Sequence, residues 1–445
     1  MPEPQNILSK NARIGVLVVA FLGWFFGGMQ ILITNLGMRA AALDMMDRVG
    51  WLDLAVYNDL NTRTTELAGS AAGQLAAWNA MATQWYAWFQ CAFLFGAAAG
   101  GFVFGRLGDR IGRTRALGIS VLWFSVFTGL SYFATSPAQL LVLRFLACLG
   151  IGGTWPNGVA LVSEVWSNTA RPVLASSIGM AGNLGIFTMA TLAATFPVTP
   201  ESWKWVTLVN ASPVLLGTAI LLFVPESPAW INRSKTATDS NKPTTSVFRA
   251  PHLKLTLVGI ALATVPLVGG WGSANWMMPW ADEIGSRTGD DDLKAHVGMV
   301  RSLTSIAGSL FAGLVACWIG RRRTYFLTSL GALAAAQYAF WFTVPGDGSF
   351  FVWVAALGLF NGIFFGWLPF FLPELFPTAI RSTGTGVSFN FGRILTAFTI
   401  VATGYLITMF DGDYAKIGRI TSVVFLLGMV VVLFAPDTSK RDMKH

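Results

Sequence analysis

Apolar residues fall in twelve runs, each about as long as a bilayer core is thick. The runs cover 14–36, 85–104, 114–134, 138–162, 172–197, 203–223, 253–277, 295–318, 323–344, 350–372, 382–410 and 416–435. A hydrocarbon core of about 30 Å takes roughly 20 helical residues. The runs are continuously apolar, whereas membrane β-strands alternate over about ten residues, so helices are predicted throughout. The first run follows Lys10 and Arg13 as a signal peptide would, but its 23 residues exceed the roughly 7–15 of such a segment, and it is kept as a helix. The pattern predicts an all-α membrane protein with twelve transmembrane helices.

The polar breaks set topology. Of 30 Lys and Arg residues, 19 fall at the tails and even-numbered breaks or the run ends beside them, eight at the odd-numbered breaks or their run ends, and three (Arg144, Arg301 and Arg393) deeper inside runs. Short loops rich in Lys and Arg stay in the cytoplasm, so both termini are expected there, in a multi-pass protein of the cell (inner) membrane. The odd breaks hold 14 carboxylates, including Asp290, Asp291 and Asp292. The long polar stretch 224–252 follows the sixth run, dividing the chain into a half at 1–223, a cytoplasmic linker and a half at 253–445. An outer loop at 37–84 carries Trp51–Leu54 and Leu75–Trp78, which read as short interfacial helices.

Composition agrees. Charged residues make up 12% of the chain, hydrophobic residues 54%, and the mean hydropathy is +0.57. A soluble chain would carry about 25% charge. The net charge of +8 does not indicate nucleic acid, because the cations are spread over short loops. Cys91, Cys148 and Cys317 fall in predicted spans and offer no disulfide or metal framework, and no cofactor is expected.

The chain repeats itself at an offset of about 210 residues. Gly105–Arg115 (GRLGDRIGRTR) returns as Gly313–Arg323 (GLVACWIGRRR), Glu164–Arg171 as Glu374–Arg381, and Val224-Pro225-Glu226-Ser227 as Ala435-Pro436-Asp437-Thr438. Three elements in one order at one offset imply duplication of a six-helix unit. Glycines permit a tight loop, and its arginines can anchor to lipid phosphates or to carboxylates on neighbouring helices. Arg113 with Glu164, and Arg321 with Glu374, are candidate ion pairs that form in one conformation and break in another.

Gly105–Arg115 resembles the loop 2–3 signature of the major facilitator superfamily. Arg144–Gly153 (RFLACLGIGG) resembles its helix-4 signature, and Pro225–Trp230 (PESPAW) the segment after helix 6 in sugar porters and metabolite:proton symporters. The likeness covers nearly the whole chain outside 37–84 and implies two pseudo-symmetric six-helix bundles. It further implies that Asp109 caps the start of helix 11 and, with Arg113 and Glu164, holds an outward-open state. Cys317 stands where the second copy would carry the acid, which implies a weaker latch there.

Polar groups inside spans are costly and point to function. All 22 carboxylates lie at span ends or in loops. Related metabolite:proton symporters commonly carry acids in helix 1 after a Gly-Trp pair, where Gly23-Trp24 here is followed by Gly27 and Gln30. Helix 1 thus lacks the acids of that route to proton coupling, and symport with a proton bound at Glu164 or another peripheral acid, or facilitated diffusion, stay open. Arg393 lies 12 residues beyond Arg381, about 18 Å along a helix and so near mid-membrane, with Asn390 on the same helical face. The repeat pairs Arg393 with Asn183. An arginine at this depth, with no acid at its level, suits an anionic ligand. Trp271, Asn275 and Trp276, after Gly269-Gly270, could stack on a ring and close over it, and Gln30 joins the candidate substrate groups. Arg144 and Arg301 lie about two turns from the outer ends of their helices, within snorkelling reach. Arg301 is read that way, whereas the helix-4 signature gives Arg144 a part in the transport cycle.

The expected function is alternating-access transport of a small organic metabolite, an anion such as a carboxylate, by a monomer in the bilayer. A sugar or polyol transporter and a non-transporting receptor of the same fold are the alternatives. A membrane enzyme is disfavoured, because no span offers a His/Asp or Cys/His constellation.

Overall fold

A computed structural model describes residues 8–63, 69–166, 171–237, 246–290, 292–410 and 412–438. Among them there is no strand. Helices 1–6 are Lys10–Leu36, Ser70–Ile111, Arg113–Leu130, Pro137–Val165, Arg171–Thr195 and Lys204–Phe223, the last interrupted at Ser212-Pro213. Helices 8–11 are Leu293–Ile319, Arg321–Phe342, Gly348–Glu374 and Arg381–Met409, and helix 12 runs from Tyr414 to Phe434. Helix 7 is broken. Leu253–Val268 ends just after Pro266, Gly269–Ser273 forms a π turn, Ala274–Trp276 a 3-10 turn, and Met277–Thr288 resumes the α-helix. Proline removes a ladder hydrogen bond and the paired glycines tolerate the looser turn, which explains the break.

Nine of these helices are long and apolar enough to cross a bilayer by themselves, among the described residues. Helices 7, 9 and 11 complete the twelve. Helix 7 is divided, helix 9 opens with three arginines, and helix 11 buries Ser382, Thr385, Ser388, Asn390 and Arg393. Their polarity faces other helices, which lets them sit in a bilayer.

The segment 37–84 differs from the sequence expectation. Helix 2 begins at Ser70, so its 42 residues extend about 63 Å, roughly twice the hydrocarbon thickness. Leu75–Trp78 belongs to that extension, and two further helices, Met38–Arg48 and Leu54–Thr62, pack on it. They share an apolar cluster of Leu43, Met46, Leu52, Tyr57, Leu75 and Ala82. Asp53 caps the second of them by accepting from Val56 N at 3.0 Å. Asp44 accepts from Trp203 Nε1 at 2.9 Å, which fixes this cap to the start of helix 6. Residues 70–84 are rich in alanine and interrupted by Gln74, Asn79, Thr83 and Gln84, so a hydropathy reading passes over the helix.

Small residues let helix backbones touch, the usual solution where lipid supplies no hydrophobic drive. A Cβ at Gly152 of helix 4 would meet the Ala97 carbonyl oxygen of helix 2 at 2.1 Å, and one at Gly386 of helix 11 would meet the Gly101 carbonyl at 2.2 Å. Gly112 and Gly320 take positive φ of 112° and 92° at matching places in the repeat, where other residues would be strained. Gly152→Val should therefore cost about 1–3 kcal/mol by overpacking, read as a lowered unfolding temperature in detergent, whereas Gly73→Ala, in open space within a helix, should hold or slightly raise it.

Candidate functional site

The site has two parts, a closed end and a cavity above it. At the closed end, helices 2, 4 and 11 meet the linker helix Pro228–Ala237. The Glu164 carboxylate is fully buried against two guanidinium groups. Arg113 reaches it at 3.1 Å through Nη2, and Arg381 from the other half reaches it at 2.8 Å through Nη1. The Ser227 hydroxyl also donates to Glu164. Asp109 accepts from Ser382 N at 3.1 Å and Thr383 N at 2.9 Å, so a carboxylate sits on the first turn of helix 11. Unpaired N–H groups and the helix dipole favour an anion there. Arg113 lies 3.2 Å from Asp109 and donates to the Thr378 carbonyl at 2.5 Å, so it bridges both carboxylates and both halves.

The linker adds to this layer. Trp230 Nε1 donates to the Asp109 carbonyl at 3.0 Å, and Arg233 Nη1 to the Ala379 carbonyl at 3.2 Å. Burial pulls the Arg233 guanidinium below its ordinary pKa, and nearby Arg113 repels its charge in the same direction. Glu226 accepts from Arg113 N at 2.8 Å and Thr114 N at 3.1 Å, capping helix 3. In the second half Arg321 lies 3.4 Å from Glu374, and Thr438 donates to Glu374 at 2.5 Å. Ser227 and Thr438, at matching places in the repeat, thus bond matching glutamates. Cys317 is exposed. Helix 8 instead meets helix 5 by packing, with a Cβ at Gly313 set to fall 2.4 Å from the Pro172 carbonyl. Gly105 likewise lies against the Ser382 carbonyl of helix 11.

Above this layer the Trp155 ring of helix 4 stacks on Phe389 of helix 11, with centroids 4.0 Å apart, and Trp24 meets both edge-on. Phe389 is eight residues beyond Arg381, about 12 Å along the helix. The stack is the floor of a cavity of about 200 Å³, against roughly 15 Å³ for one water. Its walls are mainly apolar, with Ile31, Leu32, Phe93, Leu94, Ile186 and Phe365. Its polar lining comprises Asn35, Asn183, Arg301, Ser302, Ser305, Asn361, Arg393 and Thr396. No Asp, Glu, His or Lys stands in the lining among the described residues.

Arg393 and Asn183 both line the cavity, and Asn183 Nδ2 donates to Ser309 Oγ of helix 8 at 3.1 Å. The Arg393 guanidinium lies over the Phe93 and Phe389 rings at 5.1 and 5.5 Å. Its Nε and Nη1 are buried without a hydrogen-bond partner. Asn390 does not join it. Its amide donates to the carbonyls of Gly152, 3.2 Å away, and Gly386, 3.0 Å away, so it ties helix 11 to helix 4. Gln30 is also diverted, donating to Thr128 Oγ1 at 2.8 Å and to the Asn210 carbonyl at 3.2 Å while accepting from Arg144 at 3.3 Å. Arg144 completes this network through Thr34 at 2.9 Å, inside the first half and away from the cavity. Trp276 is buried, stacks on Tyr414 and is absent from the lining. The side chains of Trp271 and Asn275 lie outside the described residues.

Arg301 corrects the snorkelling expectation. It faces the cavity, and its Nη1 donates to the Ala274 carbonyl at 3.0 Å in the broken part of helix 7. The signal was the stripe Arg301, Ser305, Ser309, spaced four residues apart on one helical face. Arg381 at Glu164 was also unforeseen, since spacing within each repeat suggested partners only inside its own half.

Removing the charge at Asp109 should loosen the closed end. Charge-assisted hydrogen bonds contribute about 1.5–3 kcal/mol, or roughly tenfold or more in a two-state population. In a background whose native cysteines are replaced by serine, Ser382→Cys should resist an impermeant maleimide and react severalfold faster when Asp109→Asn is added. Equal rates would show that Asp109 does not hold this end shut.

Residues 52–290, more than half of the chain, match the Major Facilitator Superfamily. A cis,cis-muconate transport protein of Acinetobacter baylyi is 29% identical over 77% of this chain and 83% of its own length. An inner membrane metabolite transport protein of Escherichia coli is 26% identical over 78% of this chain and 81% of its own. Among solved structures, a proton:xylose symporter bound to 6-bromo-6-deoxy-D-glucose superposes with a TM-score of 0.67 at 17% identity, covering 97% of each chain. The matched sequence, the twelve helices and the doubled loop motif place the chain in the major facilitator superfamily, whose members are membrane transporters rather than enzymes.

Proposed function

We propose that this protein carries a small organic anion, a carboxylate, across a bacterial inner membrane by alternating access. One observation carries the reading. Arg393 presents a buried guanidinium with two unbonded nitrogens, Nε and Nη1, in a cavity whose described lining holds no acid. A buried cation is stabilised by an anion that brings both charge and acceptors. The aromatic and aliphatic walls suit an apolar body behind the charged group. Similarity to the relative named for cis,cis-muconate, an organic acid anion, supports the same class. A sugar is a poorer fit, because it would leave the buried Arg393 charge unmatched.

The halves 1–223 and 253–445 would rock as units, joined by 224–252. The bias of Lys and Arg puts both termini and the Asp109–Glu164 layer in the cytoplasm. That layer is closed, so the present state faces outward. Opening breaks the pairs that cross between halves, Glu164 with Arg381 and Asp109 with helix 11, while Glu164 keeps Arg113. The described lining holds no acid, so a coupling proton would bind outside the cavity, with Glu164 of the closed layer a candidate. A single chain contains the whole route.

Counterflow of labelled organic acids into proteoliposomes tests the site. Arg393→Ala should reduce anion exchange by roughly tenfold or more, with Arg393→Lys between it and the unaltered protein. Undiminished exchange by Arg393→Ala would remove the anion site.

A further inference from the structure

We infer that Arg301 is a second anion-binding residue, and that it makes the cavity select organic dianions over monoanions of the same skeleton. The inference rests on the anion reading of Arg393. Arg301 from helix 8 and Arg393 from helix 11 line one cavity, whose described lining includes no carboxylate. Both belong to the second half, while the first half supplies neutral groups such as Asn35 and Asn183.

They stand on helices with different neighbours. Helix 8 packs chiefly on helices 10 and 5, and helix 11 on helices 2 and 7. The two guanidinium groups therefore reach the cavity from different walls. Apolar side chains such as Phe93, Leu94, Leu267 and Phe365 also line this cavity. The arrangement suits a molecule with two carboxylates separated by a chain or a ring, rather than two on adjacent carbons.

Electrostatics sets the preference. Closing the cavity over its cargo removes water, and an unmatched charge then becomes costly. A monoanion leaves the two-guanidinium lining with net positive charge, whereas a dianion cancels it. The Ala274 carbonyl, 3.0 Å from Arg301 Nη1, holds the guanidinium against the wall, so its position does not depend on the cargo. Bidentate contacts between guanidinium and carboxylate add geometric selection.

The test uses paired probes, benzoate against terephthalate and hexanoate against adipate, at neutral pH. Binding is read by thermal shift and by competition in counterflow, with the unaltered protein, Arg301→Gln, Arg301→Lys and Arg393→Gln. Each diacid should act at a concentration lower than its monoacid by roughly tenfold or more. Arg301→Gln should bind monoacids and diacids alike, and Arg301→Lys should keep part of the preference. Should Arg301→Gln not fold, the probe pairs on the unaltered protein and Arg301→Lys still decide. Acids that bind without a diacid preference, or a preference that survives Arg301→Gln, overturn the role of Arg301 and leave the anion reading standing. If none of the four acids binds, or if Arg393→Gln leaves all binding unchanged, the anion reading fails and takes this inference with it.

Discussion

The buried carboxylate of Glu164 is the constraint on which the observed state depends. Two guanidinium groups and a hydroxyl meet it with no water-facing side, and one of those guanidiniums comes from the opposite half. A buried charge that loses a partner is destabilising by several kcal/mol, while a fully partnered cluster need contribute little net stability. The cluster therefore works as a selector of conformation more than as a source of stability. When the halves separate, Arg381 must find another acceptor or be hydrated, and that demand gives the closed end its threshold. The linker shares the same cost, because Ser227, Trp230 and Arg233 engage the cluster or its immediate backbone.

The remaining layers follow from that closure. With helices 4 and 11 held together at their ends, Gly101 and Gly386 bring helices 2 and 11 into backbone contact. Asn390 spends its amide on the Gly152 carbonyl, and Trp155 lies flat on Phe389. Each layer is polar or aromatic according to its depth, and each needs the one beneath it to be shut. The cavity begins only above the ring stack. Its position is thus a result of the seal rather than of a separately built pocket.

Much of this was readable in the chain. The twelve runs, the doubled Gly-Arg loop and the matched glutamates give the architecture, because hydropathy and turn chemistry are local properties. Arg393 was singled out by its depth and Asn183 by the repeat, and both line the cavity. The direction of a side chain about its helix is set by crossing angles that no periodicity reports. That is why Asn390, three residues from Arg393, turned to a carbonyl and Gln30 joined the Arg144 network. It is also why Arg301, placed near a helix end by counting, looks inward. The helical extension of 70–84 escaped because its apolar residues serve a small cluster of their own and not the lipid.

Cys317 gives the duplicated design an unequal seam. Where the first copy places Asp109 on the start of helix 11, the second presents a thiol outward, and helix 8 touches helix 5 through the bare backbone at Gly313. Among the described residues, charge holds the helix 2–11 seam and close packing the helix 5–8 seam, so the molecule is built to part like a door with its lock on one edge and a plain hinge on the other.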